Sequence, residues 1–204
     1  MNLANKLTLT RMASVPFFMI YMVIDNFYTR CISLSIFIIA ALTDYYDGKI
    51  ARDRKEVTNL GKFMDPLADK LLISAAFISF VGVGELSLPA WMVVLVISRE
   101  FIINGLRTLA ATQGKIIGAS LAGKFKTTTQ VFTIILILVI LVVRSFFQTF
   151  YNINPETLLF KTGLLKFLWY VITFVPITLL IITVILTLAS GLNYIIQNRD
   201  LLLF

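Results

Sequence analysis

The sequence predicts an all-α integral membrane protein with six transmembrane helices. Two observations support this prediction. Hydrophobic residues make up 58% of the 204 residues and charged residues only 14%, whereas a soluble domain carries about 25% charged residues. Apolar runs of about 20 residues, the length of helix that crosses a bilayer, also recur along the chain. They lie at about 10–28, 32–52, 64–82, 89–112, 125–146 and 165–196.

The segments outside these runs are short. Residues 1–10 (MNLANKLTLT) are amphipathic, which predicts a short N-terminal interfacial helix before the first span. The first run has Asp25 at its far end and is followed by no small-residue cleavage site, so a cleaved signal peptide is not expected. The polar connection at 53–60 is short, so the second and third spans are expected to be antiparallel neighbours. Without repeats or soluble linkers, a single domain over 1–204 is predicted.

Basic residues predict the orientation of this bundle. Twelve of the 18 lysines and arginines fall on one side, against four on the other, and the richer side faces the cytoplasm. The twelve are Lys6, Arg11, Lys49, Arg52, Arg54, Lys55, Lys62, Lys70, Lys115, Lys124, Lys126 and Arg199. We therefore expect a multi-pass protein of the inner (cytoplasmic) membrane, surrounded by membrane lipids, with both termini in the cytoplasm. A nucleic-acid partner is not expected.

Two residue types that often carry chemistry are scarce. The chain has no histidine, and Cys31 is its single cysteine. This removes the commonest general base and transition-metal ligand and excludes disulfide frameworks and cysteine-based zinc sites. Any chemistry must therefore use carboxylates, hydroxyls or amines, and oxygen-only ligands favour a hard cation such as Mg²⁺ or Mn²⁺.

Four aspartates lie at helical spacing where the second and third spans meet the cytoplasmic side. The string reads Asp44-x2-Asp47-Gly48-x2-Ala51-Arg52-x8-Gly61-x3-Asp65-x3-Asp69. At about 100° per residue, each half of the string falls on one helix face. Two unit charges about 4 Å apart cost on the order of 4 kcal/mol at an effective dielectric near 20. Four converging carboxylates therefore predict a bound pair of divalent cations.

Two other interpretations of the aspartates remain open. They are solvated charges at the ends of loops, paired with basic neighbours, or they form the ion path of a cation transporter. Glycines on the same faces count against the first interpretation. The second is weakened because the later spans carry no aspartate deep in the membrane.

The aspartate string is similar to the signature of the CDP-alcohol phosphatidyltransferases, and all eight of its positions are filled. The resemblance implies a six-span bundle of that family and a homodimer. It also implies that the four aspartates hold two divalent cations, Mg²⁺ or Mn²⁺, on the pyrophosphate of a CDP-linked lipid. Asp69 would in addition act as the catalytic general base on the incoming hydroxyl. The CDP-lipid pocket would be lined by Gly48, Ala51, Arg52 and Gly61.

The fourth span carries a polar stripe, and lysines open the fifth. The span reads Arg99-Glu100-x3-Asn104-x2-Arg107, and its stripe consists of Glu100, Asn104, Arg107 and Ala111, which recur at intervals of three and four. Its arginines are explained either by ion pairs with nearby acids or by binding of a phosphate, which arginine contacts bidentately. Taken singly, Lys124 and Lys126 would be anchors at the cytoplasmic face.

These segments together resemble the bacterial phosphatidylglycerophosphate synthase branch of the family. The likeness covers Arg99-Glu100, Gly105-Leu106-Arg107, Ala110-Ala111 with Gly114, Gly123-Lys124-x-Lys126-Thr127 and Asn5-x-Leu7-Thr8-x2-Arg11-x4-Pro16. Ala4 departs from it, since members often carry proline there. The branch implies CDP-diacylglycerol as donor and glycerol 3-phosphate as acceptor, with Arg99, Arg107, Lys124 and Lys126 on the acceptor phosphate. A sibling transferase that uses inositol phosphate, serine or phosphatidylglycerol is the alternative.

Overall fold

Six α-helices and a 3₁₀ helix make up the described part of the chain. The computed structural model describes residues 3–53, 59–112, 121–153 and 163–198, without the side chains of 3–4, 44–53, 59–63, 65–66, 121–122, 124 and 164–165. The helices are α1 (Leu3–Val23), α2 (Phe27–Asp53), α3 (Asn59–Gly82), α4 (Ala90–Thr112), α5 (Leu121–Tyr151) and α6 (Leu164–Gln197), with the 3₁₀ helix at Gly84–Leu86. The described residues contain no strand, which confirms the all-α prediction for them.

Local residues explain where several helices begin and end. The side-chain oxygen of Asn26 accepts a hydrogen bond from the backbone N–H of Tyr28 at 3.0 Å, which satisfies a donor in the first turn of α2. Pro89 directly precedes α4, a position where its missing N–H costs nothing. Asn152 follows α5 with a φ of 49°, the left-handed conformation that often ends a helix.

The N-terminal segment is part of the first helix. Leu3–Val23 is continuous, so a separate short interfacial helix is not confirmed. The segment before Val15 contains neither glycine nor proline, and nothing in it interrupts the helix. The polar side chains of Asn5 and Thr8 are 5% and 1% exposed. The amphipathic pattern therefore reflects polar groups packed into the bundle.

The third helix lies near the middle of the bundle. α1 packs against α2 and α3, α5 packs against α2, α3 and α6, and α4 packs against α3 and α6. The core consists of large apolar side chains that are almost fully buried. These include Phe18, Phe37, Phe77, Phe80, Ile134, Ile137, Leu138, Leu141 and Leu180. This packing places the first half of α3 beside the polar ends of α4, α5 and α6.

Large apolar side chains are exposed on all six helices. Examples are Phe17, Ile39, Ile78, Phe101, Phe132 and Ile185. Soluble monomers rarely expose apolar patches larger than a few hundred Å², so this surface suits hydrocarbon. In the described ranges, Phe125–Tyr151 and Lys166–Gln197 are long and apolar enough to cross a membrane. Six membrane crossings stay a prediction.

Candidate active site

A charged pocket of about 410 Å³ lies between α3, α4, α5 and α6. Its walls carry four cationic side chains and two acidic ones. The cations are Lys70, Arg99, Arg107 and Lys126, and the acids are Asp69 and Glu100. The excess of positive charge favours an anionic ligand. Asp69 lines the same pocket.

Glu100 ties α4 to α5 at one wall of this pocket. Its carboxylate forms an ion pair with Lys126 and accepts a hydrogen bond from the Gln130 side-chain amide at 3.3 Å. Arg99 Nη1 is 3.7 Å from the same carboxylate oxygen. Lys126 and Gln130 are 4% and 1% exposed. Glu100 thus offsets the charge of Lys126 chiefly, and leaves the two arginines as the larger source of positive charge.

Side chains of the last helix, α6, contact both arginines of the pocket. Arg99 Nη2 donates a hydrogen bond to the Ser190 hydroxyl at 3.0 Å. The guanidinium of Arg107 lies over the ring of Tyr194, with 5.3 Å between its central carbon and the ring centroid. Cation–π contacts of this kind orient arginine without using its N–H donors on an acid. α6 therefore supports both arginines that α4 contributes to the pocket.

Several residues that line the pocket carry buried donors with no hydrogen-bond partner among the described residues. They are Lys70 Nζ, Arg99 Nε and Arg107 Nε. Buried polar groups are nearly always paired in folded proteins. Three donors around one volume therefore indicate a ligand that offers several acceptor oxygens.

The backbone places the aspartate string at the ends of two helices joined by a short connection. Asp44 and Asp47 lie in the last three turns of α2, and Asp65 and Asp69 lie in the first three turns of α3. Six Cα steps separate the helix ends at 53 and 59, which can therefore be at most about 22 Å apart. This constraint keeps both halves of the string at the same end of the bundle.

Of these four carboxylates, only that of Asp69 belongs to the described side chains. The other predicted site residues whose side chains lie outside them are Asp44, Asp47, Gly48, Ala51, Arg52, Gly61, Asp65 and Lys124. Convergence of the four carboxylates therefore stays a prediction. The donor set itself, four carboxylates without nitrogen or sulfur, fits a hard cation such as Mg²⁺ or Mn²⁺.

An apolar groove adjoins the charged pocket between α1, α3 and α4. Its volume is about 770 Å³, and Lys70 and Asn104 line both cavities. The remaining walls are mainly aliphatic and aromatic, with Leu71 and Phe101 among them. The groove thus offers an apolar volume that begins at the charged groups of the pocket.

The family assignment rests on a match over most of the sequence. A family model for CDP-alcohol phosphatidyltransferase matches residues 1–189. The chain belongs to the CDP-alcohol phosphatidyltransferase family. The resemblance inferred from the aspartate string is confirmed.

Several curated proteins with similar sequences carry the name CDP-diacylglycerol–glycerol-3-phosphate 3-phosphatidyltransferase. The protein of Bacillus subtilis (strain 168) is 45% identical over 145 residues, covering 65% of this chain and 74% of the relative. That of Rickettsia bellii is 34% identical over 134 residues, covering 65% and 72%. That of Pectobacterium atrosepticum is 35% identical over 142 residues, covering 67% and 76%.

Part of the charged pocket of this CDP-alcohol phosphatidyltransferase was predictable from the sequence. Asp69, Arg99, Arg107 and Lys126 were predicted site residues, and the structure brings their side chains to one cavity. Contributions from Lys70 and from the last helix were missed. Lys70 is detectable by its position next to Asp69. Ser190 and Tyr194 carry no such signal, because the residues around them are mostly apolar and uncharged.

Proposed function

We propose that the chain transfers the phosphatidyl group from CDP-diacylglycerol to glycerol 3-phosphate, giving phosphatidylglycerophosphate and CMP. The observation that carries this proposal is the position of Asp69 in a pocket with an excess of cationic side chains. The names of similar family members support the same reaction.

The charge of the pocket suits the acceptor. Glycerol 3-phosphate is anionic and water-soluble, so its binding site needs cationic groups close to the reacting hydroxyl. Arg99 and Arg107 provide them, and arginine binds phosphate oxygens in a fixed geometry. We assign Lys124 and Lys126 to the same phosphate, with Lys126 in a lesser role because Glu100 already contacts it. Serine or myo-inositol as acceptor would require less positive charge here.

The aspartates carry the chemistry in this proposal. Asp44, Asp47, Asp65 and Asp69 hold two divalent cations, which when bound neutralise the pyrophosphate and lower the pKa of the acceptor hydroxyl. Asp69 takes the proton of that hydroxyl. The hydroxyl oxygen forms a bond to the lipid-side phosphorus, and CMP leaves with the electrons of the broken P–O bond. The family motif assigns the nucleotide pocket to Gly48, Ala51, Arg52 and Gly61.

The apolar groove suits the acyl part of the donor. It opens along α3 and α4, and Lys70 and Asn104 connect it to the charged pocket. A lipid whose phosphates lie at the charged end could extend its chains into the apolar end. We therefore assign the groove to an acyl chain of CDP-diacylglycerol, which enters laterally from the bilayer.

We further propose a membrane placement for the single domain. Apolar side chains exposed on all six helices support six crossings of the inner membrane. The distribution of lysines and arginines supports cytoplasmic termini and a cytoplasmic active site. A homodimer is the assembly implied by the family, and light scattering of the purified protein in detergent tests it.

Release of CMP by the purified protein tests the proposed reaction. The assay supplies CDP-diacylglycerol in mixed micelles and compares glycerol 3-phosphate with serine, inositol phosphate and phosphatidylglycerol, each with and without a divalent cation. We expect release only with glycerol 3-phosphate and a cation, and its loss when EDTA is added.

Each alternative gives a different result in this assay. CMP release with another acceptor alone would indicate a sibling transferase. Ion flux in liposomes without any CMP release would indicate a transporter. Full activity in EDTA would contradict the cation pair while leaving the overall reaction intact.

A further inference from the structure

Tyr194, in the last turn of α6, lines the charged pocket and carries a buried hydroxyl that has no partner among the described residues. The residue is 4% exposed, it lines the pocket, and its hydroxyl oxygen is buried and unpaired in that part of the chain. A buried hydroxyl destabilises the protein unless it finds a hydrogen-bond partner. This position therefore suits a ligand that provides an acceptor oxygen.

The ring of Tyr194 already has a neighbour. The guanidinium of Arg107 lies over its face, 5.3 Å from the centroid. This contact uses the π surface of the ring. The hydroxyl, which projects from the ring edge, remains available for a different partner. One side chain can thus hold Arg107 in place and also donate a hydrogen bond.

The residues that line this pocket carry unpaired buried donors on three helices. Lys70 Nζ belongs to α3 and Arg107 Nε to α4, and in the described residues both are buried without a hydrogen-bond partner, as is the α6 hydroxyl. A phosphate monoester offers three terminal oxygens, which can accept from several donors at once. A neutral alcohol group offers one oxygen and would leave most of these donors unpaired. The donor set therefore fits the phosphate end of an acceptor better than its hydroxyl end.

We propose that Tyr194 is a binding and specificity-determining residue for the acceptor phosphate. Its hydroxyl donates a hydrogen bond to a phosphate oxygen, while its ring positions Arg107 for the same group. The inference rests on the proposed function and extends it, because the last helix then forms part of the acceptor site. The Tyr194 hydroxyl thereby contributes to the preference of the protein for phosphorylated acceptors.

The variant Tyr194→Phe tests the hydroxyl separately from the ring. It keeps the ring under Arg107 and removes only the donor. Since hydrogen bonds to charged groups contribute about 1.5–3 kcal/mol, we expect the KM for glycerol 3-phosphate to rise at least about tenfold. The KM for CDP-diacylglycerol and kcat should stay within about twofold. Inorganic phosphate, used as a competitive inhibitor against glycerol 3-phosphate, should lose affinity by a similar factor.

Tyr170→Phe is the matched control. It makes the same change on the same helix at a half-exposed residue that stacks on Phe174 far from the pocket. Its kinetic constants should equal those of the unmodified protein. Tyr194→Leu, which also removes the ring, should raise the KM for glycerol 3-phosphate further than Tyr194→Phe.

The outcomes separate this inference from the proposed function. If the unmodified protein releases no CMP with glycerol 3-phosphate, the proposed function is wrong and the inference is overturned with it. If it is active and Tyr194→Phe leaves the KM for glycerol 3-phosphate and the inhibition by phosphate unchanged, only the inference is overturned. An equal rise in the KM of both substrates also overturns it, because a general disturbance of the bundle would have that effect.

Discussion

Arg99 on α4 and Ser190 on α6 are joined by a hydrogen bond of 3.0 Å across 91 positions of the sequence. The residue after Ser190 is Gly191, and a Cβ added there would lie 2.9 Å from Arg99 Cγ and 3.0 Å from Nε. The arginine stem therefore occupies the space over the glycine. This contact fixes the path of Arg99 from its own helix into the charged pocket.

Replacing Gly191 by alanine should displace Arg99. The new methyl group meets the stem of the side chain, which cannot yield as easily as its tip. Partial loss of one charged hydrogen bond, about 1.5 kcal/mol, would raise the KM for glycerol 3-phosphate about tenfold. Gly105→Ala is the control, since nothing lies within 4 Å of a Cβ there. Equal kinetics for the two variants would show that Arg99 does not depend on this contact.

Asp69→Asn should abolish turnover while the donor still binds. The amide is nearly the same size but cannot accept the proton of the acceptor, and general bases contribute about 10²–10⁴-fold to rate. CMP release measures the loss, and thermal stabilisation by CDP-diacylglycerol measures retained binding. Asp25→Asn, which changes a half-exposed acid in the connection between α1 and α2, should keep activity. A near-normal rate for Asp69→Asn would exclude the assigned base.

Leu71→Trp should weaken binding of the lipid and leave the acceptor unaffected. Leu71 lines the apolar groove and is 37% exposed. An indole placed there would displace about two methylene groups of an acyl chain, at about 0.8 kcal/mol each, so the KM for CDP-diacylglycerol should rise about tenfold. Ile102→Trp adds the same ring to an exposed position of α4 outside the groove. If both variants behave alike, the acyl chain does not occupy the groove.

Glu85→Gln should destabilise the protein without changing either KM. Arg30, which is 2% exposed, has Nη2 at 3.0 Å from Asp25 and 3.1 Å from Glu85, and Arg144 Nε is 3.2 Å from Glu85. Removing one partner from a buried ion pair costs about 3 kcal/mol. Thermal unfolding followed by tryptophan fluorescence should show a Tm lower by several degrees. Asp25→Asn should lower it less, because Asp25 is half-exposed. An unchanged Tm for Glu85→Gln would mean that this ion cluster does not stabilise the bundle.

The helices were predictable because their signals are local. The six apolar runs correspond in order to α1 to α6, and their ends follow nearby residues such as Asn26 and Pro89. The N-terminal segment was the exception. Its polar pattern resembled that of an interfacial helix, yet Asn5 and Thr8 face the interior. A pattern of polar residues predicts which side chains avoid hydrocarbon. It does not predict whether those side chains are exposed to water or packed inside the protein.

The charged pocket was predictable only in part. The α4 stripe could be recognised, because residues three and four apart share a helix face. The ion pair between Glu100 and Lys126 depends on the packing of α4 against α5, and one lysine in a basic segment gives no indication of it. The sequence therefore indicated which charges belong to the site without indicating which of them neutralise one another.

From the sequence alone came the all-α class, the order of the helices, the family and the positions of the aspartates along α2 and α3. These depend on hydrophobic periodicity and on a motif of 26 consecutive positions. Only the tertiary structure decided that Ser190, Gly191 and Tyr194 support the arginines of α4. Those contacts join residues about 90 positions apart, so they depend on how two helices are packed and on no pattern within either helix.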